Sequence, residues 1–328
     1  MRIALTGGAG FIGSHVVERL LRERHAVLIA DDFSRGLREN LAAIGYEGGF
    51  FGDLSERDTA ARWTEQVRDW KADVLVHLAC PMSHNPLDHL LGMELAAGYL
   101  RTCQELRIPT VFVSSSSAHN AVKPRGLYNE ALKPEGLYGM TKALIEWGLH
   151  DLHKAGGVPS YIALRPSNAY GPREVFSGHS HIHVIPSLIR KVMLKQTPIE
   201  VWGDGTQTRP FTYVLDIVDA ICRAIGLVTS RQMHDLALVH GASVSIGEVL
   251  GLIMEALGTK EEVVFIKNAS VGVESRGLPR PDGDLLGGWK ANWGIREGIR
   301  ATVEWVRQHP ESLHRGEVDT RPLGTTVA

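Results

Sequence analysis

Residues 3–13, Ile3-Ala4-Leu5-Thr6-Gly7-Gly8-Ala9-Gly10-Phe11-Ile12-Gly13, set a glycine turn between an apolar run and an amphipathic stretch. A strand before the turn and a helix after it make up the arrangement that brings backbone close to a dinucleotide pyrophosphate. Gly8 and Gly10 let the chain turn and approach the phosphates, and Gly13 lets helix pack closely on strand. The helix N-terminus beyond supplies unpaired N–H groups and the positive end of a dipole. Gly7, Gly10, Phe11, Ile12 and Gly13 are the expected cofactor contacts of this turn.

The alternation continues along the chain. Buried strands are expected at residues 3–6, 26–30, 74–78, 111–114 and 161–164. Helical stretches separate them, such as 12–24, where Val16, Val17, Leu20 and Leu21 share one face. This order predicts an α/β fold, a Rossmann-type doubly wound parallel sheet with right-handed crossovers. After Arg165 the chain becomes rich in Pro, Gly and polar residues, with a helix expected at 184–194, a strand at 199–202 and a return to the sheet region at 211–214. The expected division is a dinucleotide-binding unit of residues 1–165 plus about 213–241 and a smaller mixed α/β C-terminal substrate unit from about 166–212 and 242–310. Residues 311–328 read as a flexible tail.

Charge and cysteine usage narrow the function classes. Lys plus Arg total 35 against 37 Asp plus Glu, which excludes a strongly cationic nucleic-acid binder. Cys80, Cys103 and Cys222 are too widely spaced for a disulfide framework or a tetrahedral zinc site, and they suit a reducing compartment. With no apolar run of membrane-spanning length and no leader pattern, the expectation is a soluble, cytoplasmic protein without membrane contact.

Asp31 ends the second expected strand, 18 residues beyond Gly13. A carboxylate there accepts the adenosine ribose hydroxyls and repels a 2′-phosphate, which favours NAD over NADP. Asp32, Ser34 and Arg35 continue the same rim; Arg35 reads either as a solvated loop charge or as a group that softens that preference. Asp53, beside Leu54, reads either as an adenine partner or as a turn cap.

Tyr138 and Lys142 stand four apart, on one helix face. A phenol acting as a base near neutral pH needs a shift of roughly three pKa units, about 4 kcal/mol. An ammonium one turn away, together with a positive nicotinamide, has the right sign. Ser114-Ser115-Ser116-Ser117 follows the strand at 111–113, so its hydroxyls fall at the carboxyl end of the sheet, where ligands bind. Two of the four serines fit a plain loop role.

Together with Leu164-Arg165-Pro166-Ser167-Asn168-Ala169-Tyr170-Gly171-Pro172, these motifs resemble the extended short-chain dehydrogenase/reductases, closest to their nucleotide-sugar epimerases, dehydratases and decarboxylases. The resemblance implies NAD held tightly, a nucleotide-sugar substrate, and a homodimer built from two helices per subunit, here about 87–106 and the helix after Tyr138. It implies Tyr138 as base, Lys142 as the ribose ligand that lowers its pKa, and Ser115 as the catalytic hydroxyl, with Ser116 as the neighbouring candidate. Leu78, Ala79, Cys80, Ser114 and Pro166 complete the implied cofactor contacts. Asn168, Arg209 and Arg280 would hold the diphosphate, and Trp202 would lie near the nucleotide base.

Departures from the family select the reaction. Sugar 4,6-dehydratases carry an Asp-Glu pair where this chain has Ser116 and Ser117. UDP-glucuronate decarboxylases share a stretch like His77-Leu78-Ala79-Cys80-Pro81 but place a glutamate at Ser117, and UDP-glucuronate epimerases carry an arginine at Val175. His119 and Asn120 replace a family Tyr-Gly. What remains is 4-epimerisation of a neutral nucleotide sugar, a UDP-hexose, through a transient 4-keto sugar. Two alternatives stay open: another reaction of the same scaffold, and a non-catalytic dinucleotide sensor. His179, His181 and His183 alternate and read as a substrate-side loop rather than metal ligands, and no metal is expected. Trp289, Trp293 and Trp305 read as core aromatics.

Overall fold

The computed structural model describes residues 1–81, 86–118, 136–177, 182–231, 234–267 and 284–314. In its first half, strands and helices alternate as β1 (Arg2–Thr6), α1 (Phe11–Arg22), β2 (Ala26–Asp31), α2 (Arg38–Ala42), β3 (Phe50–Phe51), α3 (Arg57–Asp69), β4 (Val74–His77), α4 (Pro86–Leu106), β5 (Thr110–Val113), α5 (Gly136–Lys154) and β6 (Tyr161–Pro166). The second half runs β7 (Ala169–Tyr170), α6 (Val184–Met193), β8 (Ile199–Trp202), β9 (Thr208–Pro210), β10 (Thr212–Tyr213), α7 (Val214–Arg231), β11 (His234–Val239), β12 (Ser243–Ser245), α8 (Ile246–Leu257), β13 (Val263–Ile266) and α9 (Ile295–Gln308).

Seven of these strands form one sheet in the order β11-β6-β5-β4-β1-β2-β3, every pair parallel. Both faces of the sheet are covered, so its strands read as apolar runs without a polar side. Alternate residues feed two cores. Ile3, Leu5, Val74, Val76, Val111 and Ile162 face α1 and α7, against Val16, Val17, Ile217 and Ile221. Ala4, Leu75, Phe112 and Ala163 face α3, α4 and α5, against Trp63, Tyr99, Ile145 and Leu149. The five expected strands are all present. β3 is two residues long, too short to show a period, and β11 opens on the polar pair His234-Asp235.

From β1 the order runs one way and from β4 the other, so the crevice at their carboxyl ends is the switch point of a doubly wound sheet. The C-terminal half adds three two-stranded ribbons, β10-β7, β12-β9 and β13-β8. The 211–214 run therefore pairs with β7 beside the large sheet, not within it. Asp216 near the start of α7 accepts from the backbone of Asn292 (2.9 Å) and Trp293 (3.2 Å), while Trp289 Nε1 donates to its carbonyl. Trp289 is buried and Trp293 packs on Tyr213 at 4.3 Å, matching their expected core role. Leu313 is buried too, so packing persists to the short turn Pro310–Leu313; residues 315–328 lie outside the described residues. Among the described residues no helix is long and apolar enough to cross a membrane.

Two contacts tie the first helix to the loop after β7. His15 Nε2 bonds the Pro172 carbonyl at 3.0 Å, and Arg173 pairs with Glu18 at 2.7 Å. Burial, with Arg173 adding to it, pushes the His15 pKa down from 6.5 to about 4. The folded state thus refuses a proton that the unfolded chain accepts below pH 6.5, so stability falls with acid, by about 3 kcal/mol at pH 4. Urea unfolding should show that acid loss in the wild type and a loss smaller by about 2–3 kcal/mol in His15→Gln. Equal pH slopes for the two proteins would rule out the buried neutral ring as their source.

Candidate active site

The glycine turn is built by close backbone approach. Gly7, at the end of β1, has φ +76°, and a Cβ there would lie 2.8 Å from the Ala79 nitrogen. A Cβ on Gly13 would lie 1.9 Å from the Gly7 carbonyl oxygen. The left-handed residue is thus Gly7, not Gly8 or Gly10, because β1 and the turn after β4 meet there. Gly8 packs against Ile29, and Gly10 is the N-cap of α1. No side chain caps that helix and no acid lies in its first turn, so its positive end, beside half-buried Phe11 and Ile12, opens on the crevice.

The rim loop after β2 closes over this turn. Buried Asp31 accepts from the backbone of Ala9 (2.8 Å) and Phe33 (2.9 Å). Burial pushes its pKa up, against the pull of those same bonds. Leu37 N and Asn40 Nδ2 both donate to the Ala9 carbonyl at 3.0 Å. Exposed Asp32 holds Ser34 in a local turn, accepting from its amide and hydroxyl. Half-buried Arg35 lies within electrostatic reach of Glu174 and Cys80, across the crevice. Asp53 Oδ1 accepts from both the amide and the hydroxyl of Ser55, the turn-cap arrangement, and Leu54 packs into the core. Leu78 N donates to the Thr6 carbonyl at 3.1 Å and Ala79 N to its hydroxyl at 3.4 Å. Pro166 ends β6 opposite Val239.

At the end of β5 the structure brings Ser115, Tyr138 and Lys142 together. The Ser115 hydroxyl lies close enough to the Tyr138 phenol to act on its pKa. Lys142 is buried, its Nζ donating to the Val113 carbonyl at 2.8 Å and lying 5.8 Å from the centre of the Tyr138 ring. The phenol pKa is pushed up, by burial first and the Cys80 thiol second, with the Ser115 hydroxyl opposing. The lowering expected from Lys142 does not arise from these side chains alone, because the ammonium is aimed at a carbonyl and the phenol is desolvated. The other serines are engaged elsewhere: Ser114 Oγ donates to Glu146, Ser116 is buried at the start of a 3₁₀ turn, and Ser117 N donates to Ser115 Oγ at 3.1 Å.

On the substrate side, Asn168 Nδ2 donates to the Pro210 carbonyl (2.9 Å) and its own carbonyl accepts from Thr212 N (3.2 Å), fixing the β9–β10 corner. Arg209 is half-buried on β9, its Nη1 donating to the Thr208 carbonyl at 2.8 Å, and burial pushes its pKa down. Trp202 ends β8 with 62% of its surface exposed, open to a planar ligand. His183 Nδ1 lies 2.6 Å from buried Glu174. Burial works to lower the His183 pKa, and Glu174 outweighs it, so the net shift is upward. Arg280, His119, Asn120, His179 and His181 lie outside the described residues.

One feature of the site escaped the sequence reading. Glu146 and Arg165, each with 1% side-chain exposure, form an ion pair directly behind the serine run. The signal was present: Glu146 follows Lys142 by four residues, as Lys142 follows Tyr138.

The NAD dependent epimerase/dehydratase family profile matches residues 3–235. The UDP-glucose 4-epimerase of Mycolicibacterium smegmatis is 29% identical over 94% of this chain and 99% of its own. UDP-glucuronic acid decarboxylase 1 of Xenopus tropicalis is 27% identical over 99% of this chain and 77% of its own. Among solved structures, the Thermus thermophilus UDP-glucose 4-epimerase complex with NAD is similar with a TM-score of 0.77 at 28% identity, covering 94% of this chain and 99% of that one. This chain belongs to the NAD dependent epimerase/dehydratase family, whose members act on nucleotide sugars.

Proposed function

We propose that this protein interconverts the 4-epimers of a neutral nucleotide sugar, a UDP-hexose, with NAD as its resident cofactor. The observation that carries the reading is the convergence of Tyr138 and Lys142 of α5 on the serine run after β5, in a chain where Ser115 is followed by Ser116 and Ser117 rather than acids. The turn suits a dinucleotide: the backbone packing at Gly7 and Gly13 sets it tightly beneath the start of α1, which no side chain caps and which is ready for an anion. In this reading the 7–13 turn holds the pyrophosphate, Asp31 uses its remaining lone pairs for ribose hydroxyls, and Lys142 reaches the second ribose. When bound, NAD supplies the acceptor for the hydride of sugar C4 and its return to the opposite face.

Tyr138 removes the proton of the sugar 4-hydroxyl, and Ser115 donates a hydrogen bond to the same oxygen. The phenol sits above its ordinary pKa here, so deprotonation requires added positive charge, and the oxidised nicotinamide brings it. The 4-keto sugar must then turn while its nucleotide stays fixed, the task assigned to Asn168, Arg209 and Arg280 with Trp202 at the base. Tyr138 finally returns the proton. Decarboxylation is the second reading, favoured by the Xenopus relative and by the His77–Pro81 stretch; Ser117 in place of a glutamate speaks against it.

We also infer a homodimer. On α5, Leu137, Met140, Leu144 and Trp147 fall at heptad-like spacing and are 39–47% exposed, and on α4 Leu90 and Leu91 are 57% and 42% exposed. Such a stripe suits a second copy packed helix to helix.

Purified protein incubated with UDP-, dTDP- and GDP-sugars should yield a product of unchanged mass with inverted C4, identified by NMR; release of water or carbon dioxide would overturn the assignment. Tyr138→Phe should lower kcat by about 10²–10⁴-fold while retaining bound dinucleotide, and an unchanged rate would remove Tyr138 from the base role. Leu144→Glu should convert a dimer to a monomer in sedimentation velocity; if wild type and variant sediment alike as monomers, the stripe has another purpose.

A further inference from the structure

α5 meets the end of β5 in three successive rungs. On the helix, Tyr138, Lys142 and Glu146 stand one turn apart on one face. Three consecutive residues receive them. The phenol comes near the Ser115 hydroxyl, Lys142 Nζ donates to the Val113 carbonyl at 2.8 Å, and Ser114 Oγ donates to Glu146 Oε1. Two rungs belong to the acid–base site already described; the third does not. Glu146 is gripped from β6 by Arg165, whose Nε donates to Oε1 at 2.8 Å and whose Nη2 donates to Oε2. The remaining nitrogen, Nη1, is buried without an acceptor, so among the described residues the guanidinium has Glu146 as its side-chain partner.

We propose that Glu146 and Arg165 are positioning residues for the acid–base pair: Arg165 neutralises Glu146 so that the Lys142 ammonium keeps its place at the Val113 carbonyl, one turn from Tyr138, and Glu146 draws the Ser114 hydroxyl away so that Ser115 faces the phenol. The inference rests on the reading of Tyr138 as the base. Its physical core is competition. Lys142 lies one turn before Glu146, within reach of its carboxylate. In a site closed to water, an unpaired carboxylate attracts an ammonium far more strongly than at the surface. Removing one member of a buried pair leaves that uncompensated charge, whereas removing both does not. Among the described residues, the charged and titratable groups near the phenol are Cys80 after β4 and Lys142 on α5, while His77 of β4 faces Lys142.

The test uses the NAD-loaded full chain and reads the phenol directly, as the phenolate absorbance that disappears in Tyr138→Phe. In Arg165→Met the Tyr138 titration midpoint should rise by about one unit or more and kcat should fall at least about tenfold. In Glu146→Gln/Arg165→Met the midpoint should return to its wild-type position and kcat should recover, even if both variants are equally destabilised in thermal unfolding. An Arg165→Met protein with an unmoved midpoint overturns the proposal, as does a double variant whose midpoint stays raised. Should Arg165→Met not fold, Arg165→Lys, which keeps the charge and loses the fork, should leave the midpoint in place; a rise there overturns the proposal as well. The phenol titration needs no sugar, so its failure is distinguishable from an error in the assigned reaction.

Discussion

The approach of two backbones at the carboxyl ends of β1 and β4 governs this molecule. Gly7 comes so near Ala79 that no side chain fits between them, and Gly13 rests on the Gly7 carbonyl. That convergence draws the uncapped end of α1, the carboxylate of Asp31 and the turn carrying Cys80 around one crevice. A side chain at Gly13 would press α1 away from the Gly7 carbonyl, and one at Gly7 would drive into the backbone at Ala79. The crevice is thus a product of packing density as much as of charge.

The rest of the chain is fastened to that frame by polar ties. His15 and Glu18 on α1 hold the loop after β7 through Pro172 and Arg173. Asp216 on α7 holds the segment leading into α9 through two amides. α1 and α7 both lie on the same face of the sheet, sharing one core with much of the C-terminal half. The C-terminal half is therefore mounted on the same helices that cover this face of the large sheet, which keeps the two in register.

Much of this was legible in the sequence, for definite reasons. Buried parallel strands are apolar on both faces, so β1, β2, β4, β5 and β6 announced themselves, whereas two-residue β3 had no period to show. The i, i+4 spacing already put Tyr138 and Lys142 on one helix face, and in the structure Ser115 of the serine run is the one that comes near the phenol. What spacing does not encode is direction. Nothing local said that Ser114 would turn to Glu146, that the Asn168 amide would serve Pro210, or that Lys142 would point at a carbonyl. Those outcomes are set by residues distant in the chain, Arg165 above all. Gly7 carries the left-handed backbone rather than Gly8 or Gly10 for the same reason: the partner that demands it is Ala79, more than seventy residues away.

The double duty of α5 has a consequence for sequence variation. Tyr138, Lys142 and Glu146 meet the end of β5, with Lys142 and Glu146 buried there, and Ile145 and Leu149 fill the core. Thr141 bonds back to the Leu137 carbonyl, a Cβ on Gly148 would strike Leu100, and Gly139 and Ala143 are buried. Leu137, Met140, Leu144 and Trp147 make up the outer apolar stripe. Saturation mutagenesis of residues 137–149 would meet scarcely a silent site, and divergence among proteins built on this scaffold must enter elsewhere, outside this helix.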